Sequence, residues 1–159
     1  MTDWVWLQRS LPTEITGADL WESLYADEPV TVLLESPTTV PSKLARYSIA
    51  AGKPRQIWTP EVGEILTCLE KLRSRMQSAP NSDLPDHLPF TGGYLGWLGY
   101  DLAWEIERLP YTKADNLPFP VAFWYEPSSF AVIDHQTQTV WLAASDRHEL
   151  DELSDHLSN

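Results

Sequence analysis

From Leu88 to Pro110 the chain reads LPFTGGYLGWLGYDLAWEIERLP, and it holds four of the seven glycines, Gly92, Gly93, Gly96 and Gly99. They alternate with Tyr94, Leu95, Trp97, Leu98 and Tyr100. Glycine gives up more backbone freedom on ordering than any other residue, so clustering it among large apolar groups needs a reason. The pattern predicts a strand whose backbone closely approaches another element or a ligand, with the aromatics packed around it. A short amphipathic helix over Asp101–Glu107 follows and ends before Pro110.

The rest of the chain alternates helical and extended periods. Residues 3–12 read as an extended entry segment. Thr16 can cap a helix from Gly17 to Ala26 whose apolar face is Leu20, Trp21, Leu24 and Tyr25. Val30–Glu35, VTVLLE, predicts a buried strand, and Ser36–Lys43 a loop. Ala45–Ala51 predicts a second strand, and Gln56–Trp58 a short third. A helix is expected over Pro60–Gln77, with Thr59 as N-cap, Pro60 at its first position and Val62, Ile65, Leu66, Leu69, Leu72 and Met76 on one face. A connector rich in Pro, Asn and Asp occupies 78–89. Val121–Ile133 and Thr139–Ala144 read as two strands of a hairpin around DHQTQ, and Ser145 or Asp146 opens a last helix through Leu157. Hairpins with segregated helices predict an α+β fold, with all 159 residues in a single domain.

The net charge of −12 opposes binding to nucleic-acid phosphates and to anionic membrane surfaces, both of which need clustered Lys and Arg. The single cysteine, Cys68, rules out an intramolecular disulfide and a Cys-based metal cluster, and suits a reducing cytoplasm. The N-terminus lacks the basic and apolar regions of a secretory signal, and no apolar run reaches the ~20 residues that span a bilayer.

Four readings of the polar residues compete. His87, His135, His148 and His156 are scattered and read as solvated, and HExxH, CxxC, GxSxG and P-loop patterns are absent, so no catalytic set is assigned. The glycine run has the wrong order for a dinucleotide fingerprint and fits strand packing better. Asp101 and Glu105 share a helix face with Glu107 close by, which suits a metal less well than a solvated surface. The best candidate is Ser36–Ser48, where a strand delivers Ser36 to a loop and the chain returns through Lys43, Arg46 and Tyr47. There Arg46 could meet a ligand carboxylate and Glu35 or backbone carbonyls an ammonium; the alternative is an ordinary loop with a surface arginine.

Three blocks resemble one family: LLESP at Leu33–Pro37, ARYSIAAGKP at Ala45–Pro54, and the glycine-rich block itself. In this order and spacing they are similar to the N-terminal domain of chorismate-using synthases, anthranilate synthase component I and aminodeoxychorismate (4-aminobenzoate) synthase component I. The stretch LPFPVAFWYEPSSFAVIDHQTQTVWLAA, with its strand ending in Asp134-His135, follows the aminodeoxychorismate branch.

The resemblance implies antiparallel sheets packed roughly orthogonally with a few flanking helices, in a domain that is not itself catalytic. Chorismate, Mg²⁺ and the catalytic residues are expected in a larger C-terminal domain, so no cofactor is expected in this one. Glutamine amidotransferase would supply ammonia to give 4-amino-4-deoxychorismate in folate biosynthesis, or anthranilate in the alternative branch. The resemblance also implies half of an L-tryptophan pocket, carried here by Leu34, Glu35, Ser36, Leu44, Ala45, Arg46 and Tyr47. It departs from relatives in Pro37, directly after the serine. Outside the resemblance, a free-standing amino-acid-binding module and a small enzyme with its own active site stay open.

Overall fold

The computed structural model describes residues 4–11, 13–35, 45–76, 87–110, 112–113 and 116–157. They fall into two compact units. The larger is drawn from Thr2–Arg55, Asn81–Gly93 and Pro127–Asn159, the smaller from Gln56–Pro80 and Tyr94–Glu126.

The larger unit is built on a five-stranded antiparallel sheet. In chain order its elements are β1 (Val5–Ser10), α1 (Gly17–Tyr25), β2 (Val32–Leu34), β3 (Tyr47–Ala51), β7 (Ser129–Asp134), β8 (Thr139–Ala144) and α4 (Arg147–His156), and its strand order is β1-β8-β7-β3-β2. Register aligns one row of side chains across all five strands: Leu7, Leu142, Ala131, Ala50 and Leu33. Side chains two apart share a sheet face, so Val140, Ile133 and Ser48 lie beside that row. Leu20 and Leu24 of α1 and Leu150 and Leu153 of α4 cover this face and complete the core. On the other face Phe130 is fully buried, with Trp4, Trp6 and Phe90 presenting edges to it at 4.8, 5.3 and 4.7 Å. Such contacts add to area burial because the ring edge is positive and the face negative.

Both helices start where the sequence expects. Thr16 accepts from the Asp19 amide while the Asp19 carboxylate accepts from the Thr16 amide, a complete capping box. Asp146 caps α4 by accepting from the Glu149 amide.

The smaller unit carries most of β4 (Pro54–Trp58), then α2 (Ile65–Met76), β5 (Leu95–Leu98), a 3₁₀ turn (Tyr100–Leu102), α3 (Ala103–Ile106) and β6 (Ala122–Pro127), with strand order β4-β6-β5. Gly96 is required by close approach: a Cβ there would fall 2.0 Å from the Phe123 carbonyl oxygen of β6. The glycine-rich block is therefore a strand pressed on another strand, as its composition predicts. Its aromatics are less enclosed than expected, since Tyr100 is 89% exposed.

Four expectations need correction. VTVLLE is not a buried strand; β2 is a three-residue edge strand, paired only to β3, and Leu34 is exposed. The helix expected from Pro60 begins five residues later. Gly63 takes a φ of 96°, which a right-handed helix cannot contain, and Ile65 is the first helical residue. Of its expected apolar face only Ile65 and Leu72 are buried, while Val62, Leu66 and Met76 are exposed. The single strand expected over Val121–Ile133 is two strands in two sheets, β6 and β7. They part at Ser128, whose amide donates to Lys53 and whose carbonyl accepts from Ser145.

Candidate functional site

The residues singled out for ligand binding lie at one end of the five-stranded sheet, where β2 leaves and β3 enters. Ser36 and Leu44 lie outside the described residues. Leu34 ends β2, Glu35 follows it, and Ala45 and Arg46 lead into Tyr47, the first residue of β3. Alternation divides them between faces. Glu35, two residues after Leu33, falls on the helix-covered side, whereas Leu34 and Tyr47 share the opposite side with Asp134, the register partner of Tyr47.

On the helix side, Glu35 reaches the N-terminus of α1, where its Oε1 accepts from the Gly17 amide at 2.5 Å. A carboxylate there satisfies an otherwise orphan donor and meets the positive end of the helix dipole. Beneath it, Ser48 is fully buried and its Oγ lies 2.8 Å from His135 Nε2. Gly17 closes the arrangement: a Cβ there would fall 2.7 Å from Ser48 Cβ and 2.8 Å from Glu35 Oε1. His135 is thus partly buried and bonded, unlike the solvated histidine expected, while His148 lies exposed beside Glu152 as expected. A serine and histidine at this distance resemble a nucleophile and base. Ser48 is covered by Gly17 and Glu35, however, so its hydroxyl positions other groups and does not face a substrate.

On the opposite side, Arg46 makes a two-point ion pair with Asp134, Nε to Oδ1 at 3.0 Å and Nη2 to Oδ2 at 2.6 Å. The Asp134 side chain is only 1% exposed and that of Arg46 is 28% exposed. Burial alone would raise the Asp134 pKa. The Arg46 hydrogen bonds and charge and the Gln136 amide outweigh it and hold the carboxyl below its usual range. The Asp134 hydrogen bonds hold Arg46 correspondingly above its own. The guanidinium also sits 4.8 Å over the Tyr47 ring. Tyr47 Oη is buried and has no hydrogen-bond partner among the described residues.

The two charges assigned to a zwitterion are thus each engaged on one side. Glu35 uses one oxygen on Gly17, and Arg46 uses Nε and Nη2 on Asp134. Glu35 Oε2 and Arg46 Nη1 are left without a hydrogen bond among the described residues. Sequence reasoning bounded the candidate segment at Ser48 but did not place Gly17, His135 or Asp134 here. Asp134-His135 was visible as a strand-ending pair, but only register shows that β7 delivers it opposite Tyr47.

One of the carboxylates considered as metal ligands has another use. Glu105 accepts from the amides of Gly63, Ile65 and Leu66 at 2.6, 2.7 and 3.0 Å and so caps α2. Among the described residues no group of three His, Cys, Asp or Glu could hold a metal ion, and no helix is long and apolar enough to cross a membrane.

A family model described as chorismate binding enzyme matches residues 29–159. The chain belongs to this family. Among chorismate-binding enzymes it is 46% identical over 154 residues to an anthranilate synthase component I-like protein of Synechocystis sp., covering 92% of this chain and 31% of that protein. It is 33% identical to anthranilate synthase component 1 of Thermus thermophilus, covering 75% of this chain and 27% of that protein. It is 31% identical over 80 residues to aminodeoxychorismate synthase component 1 of Bacillus subtilis, covering 50% of this chain and 16% of that protein. The chain therefore spans about a third or less of these relatives. In fold it matches the crystal structure of anthranilate synthase component I from Streptococcus pneumoniae, with TM-score 0.51 and 23% identity, covering 94% of this chain and 37% of that one.

Proposed function

We propose that the chain is the non-catalytic, scaffolding and regulatory portion of an aminodeoxychorismate synthase component I. The observation that carries this reading is the family match over 131 residues of a chain that spans only 31% of its Synechocystis relative. On this reading chorismate and Mg²⁺ are assigned to the two-thirds of the relatives that lie outside the match. In the assembled cytoplasmic enzyme that portion would receive ammonia from a glutamine amidotransferase and place it on chorismate.

The half-site is assigned to L-tryptophan. On this reading Arg46 Nη1 meets the carboxylate, Tyr47 Oη supplies a further polar contact and Leu34 and Ala45 line the ligand body, while Glu35 Oε2 reaches the ammonium from the other side of the strand end; Ser36 and Leu44, also assigned to the pocket, lie outside the described residues. Calorimetric titration with L-tryptophan, with L-phenylalanine as control, tests it. Selective heat that Glu35→Gln weakens about tenfold supports the site, that factor being one charge-assisted hydrogen bond. Absence of heat, both here and in a fusion to the unmatched two-thirds of the Synechocystis relative, removes the ligand and leaves the scaffold.

A second reading, the same portion of anthranilate synthase component I, is favoured by the names of the Synechocystis and Thermus relatives. Product analysis of the same fusion with chorismate and ammonium separates the branches, as anthranilate or as 4-amino-4-deoxychorismate. A free-standing module is less well supported. Of the twelve large hydrophobic residues exposed among the described residues, all except Leu34 lie in the smaller unit, a concentration that marks a surface built to be covered.

A further inference from the structure

β5 has the composition of a central strand and the position of an edge strand. Its sequence, Leu95-Gly96-Trp97-Leu98, contains no charge and no proline. Strands read as unbroken apolar runs when both of their faces are buried, whereas half-buried strands alternate. Here Trp97 and Leu98, which point to opposite faces, are 41% and 40% exposed. β6 pairs with one side of β5, and among the described residues no strand pairs with the other.

Edges that are meant to stay open carry charge, proline or a bulge. The opposite edge strand of the same sheet, β4, begins with a proline, Pro54. β5 has no such device, and Gly96 holds it flat against β6. Beyond the strand, Tyr100 and Ile106 extend the exposed apolar surface.

We propose that the free edge of β5 accepts a further strand, and that this strand comes from the part of the longer relatives that this chain does not match. The inference rests on the family reading above. Two observations choose this occupant. The relatives carry about two-thirds of their length outside the matched region, enough to supply both the strand and the covering layer for Trp97 and Leu98. A second copy of this chain is disfavoured because each copy carries a net charge of −12, which opposes self-association. The added segment is extended and uncharged, with apolar side chains on both faces, and bonds through its main chain to the amides and carbonyls of β5.

The test compares hydrogen exchange in the chain alone with exchange in a fusion of this chain to the unmatched two-thirds of the Synechocystis relative. Peptides covering Leu95–Leu98 should exchange about 100-fold more slowly in the fusion, the protection of a strand paired on both sides. A Trp97→Lys, Leu98→Lys variant should leave the chain alone folded by circular dichroism, yet lose that protection in the fusion. Equal exchange in both proteins overturns the proposal, as does a charged variant that stays fully protected. Concentration-dependent dimerisation of the chain alone with protection of β5 also overturns it, in favour of a second copy. Chorismate consumption by the fusion is read separately. Turnover without β5 protection sinks the added strand and leaves the functional reading standing, and protection without turnover does the reverse.

Discussion

Asp134 is the residue on which the candidate site turns. It is nearly inaccessible, and two hydrogen bonds from Arg46 and the Gln136 amide satisfy it. Asp134→Asn should destabilise the chain by about 2 kcal/mol, the scale of hydrogen bonds to a charged group. Because its folded pKa lies below the unfolded value, its contribution is complete above roughly pH 4 and disappears as pH falls through the folded pKa. Denaturant melts of parent and variant should therefore differ by a constant amount at neutral pH and converge in acid; a gap that widens in acid would refute the assignment. Gly17 is the second sensitive position. Gly17→Ala forces a Cβ into Ser48 and Glu35, so a loss of roughly 1–3 kcal/mol is expected, with weaker L-tryptophan binding, by melts and calorimetry. At this scale the charges of Glu35 and Arg46 were visible in the sequence beside a strand end. Their internal partners were not, because Gly17 and Asp134 are distant in sequence and meet the site only through helix docking and strand register.

Elements were legible where local chemistry alone sets them. The Thr16 and Asp146 caps and the hairpin turn after Asp134 need only neighbours in sequence, and they stand where expected. The start of α2 was hidden because its cap comes from Glu105, some forty residues away. Thr59-Pro60 looks like a helix opening, yet Gly63 takes a left-handed conformation and the amides of Ile65 and Leu66 wait for a carboxylate. Burial alone would raise the pKa of Glu105, but those amides lower it below its usual range. Glu105→Ala should speed hydrogen exchange at Ile65 and Leu66 about tenfold or more while leaving α1 and α4 unchanged. The parent should approach the variant as pH falls through the depressed pKa, because a protonated Glu105 is a poorer acceptor. Unchanged exchange would mean that another group caps α2. The division of Val121–Ile133 between two sheets was also illegible, since an apolar run carries no mark of which neighbour each half will find.

At the scale of the whole molecule, the α+β class follows from the alternation of periods, and the family follows from three blocks in order. What the periods could not show is the uneven distribution of exposed apolar surface between the two units. The isolated chain is therefore expected to bind a hydrophobic dye such as ANS, and the fusion to the rest of the Synechocystis relative to lose most of that signal. Equal dye binding by the two would show that the surface stays open.

Among the described residues β1 has one sheet neighbour, β8, so Val5 waits for Ala144, far along the sequence. During synthesis the first strand emerges long before its partner exists, and β3 likewise waits for β7. The β7–β8 hairpin is the local event from which the sheet can grow in both directions. Such distant pairings make folding slow relative to a helical bundle of equal length. They also make completion of the sheet wait for translation of β8: until then Val5, Trp6 and Leu7 of β1 lack the strand that pairs with them and stand open to chaperones and proteases.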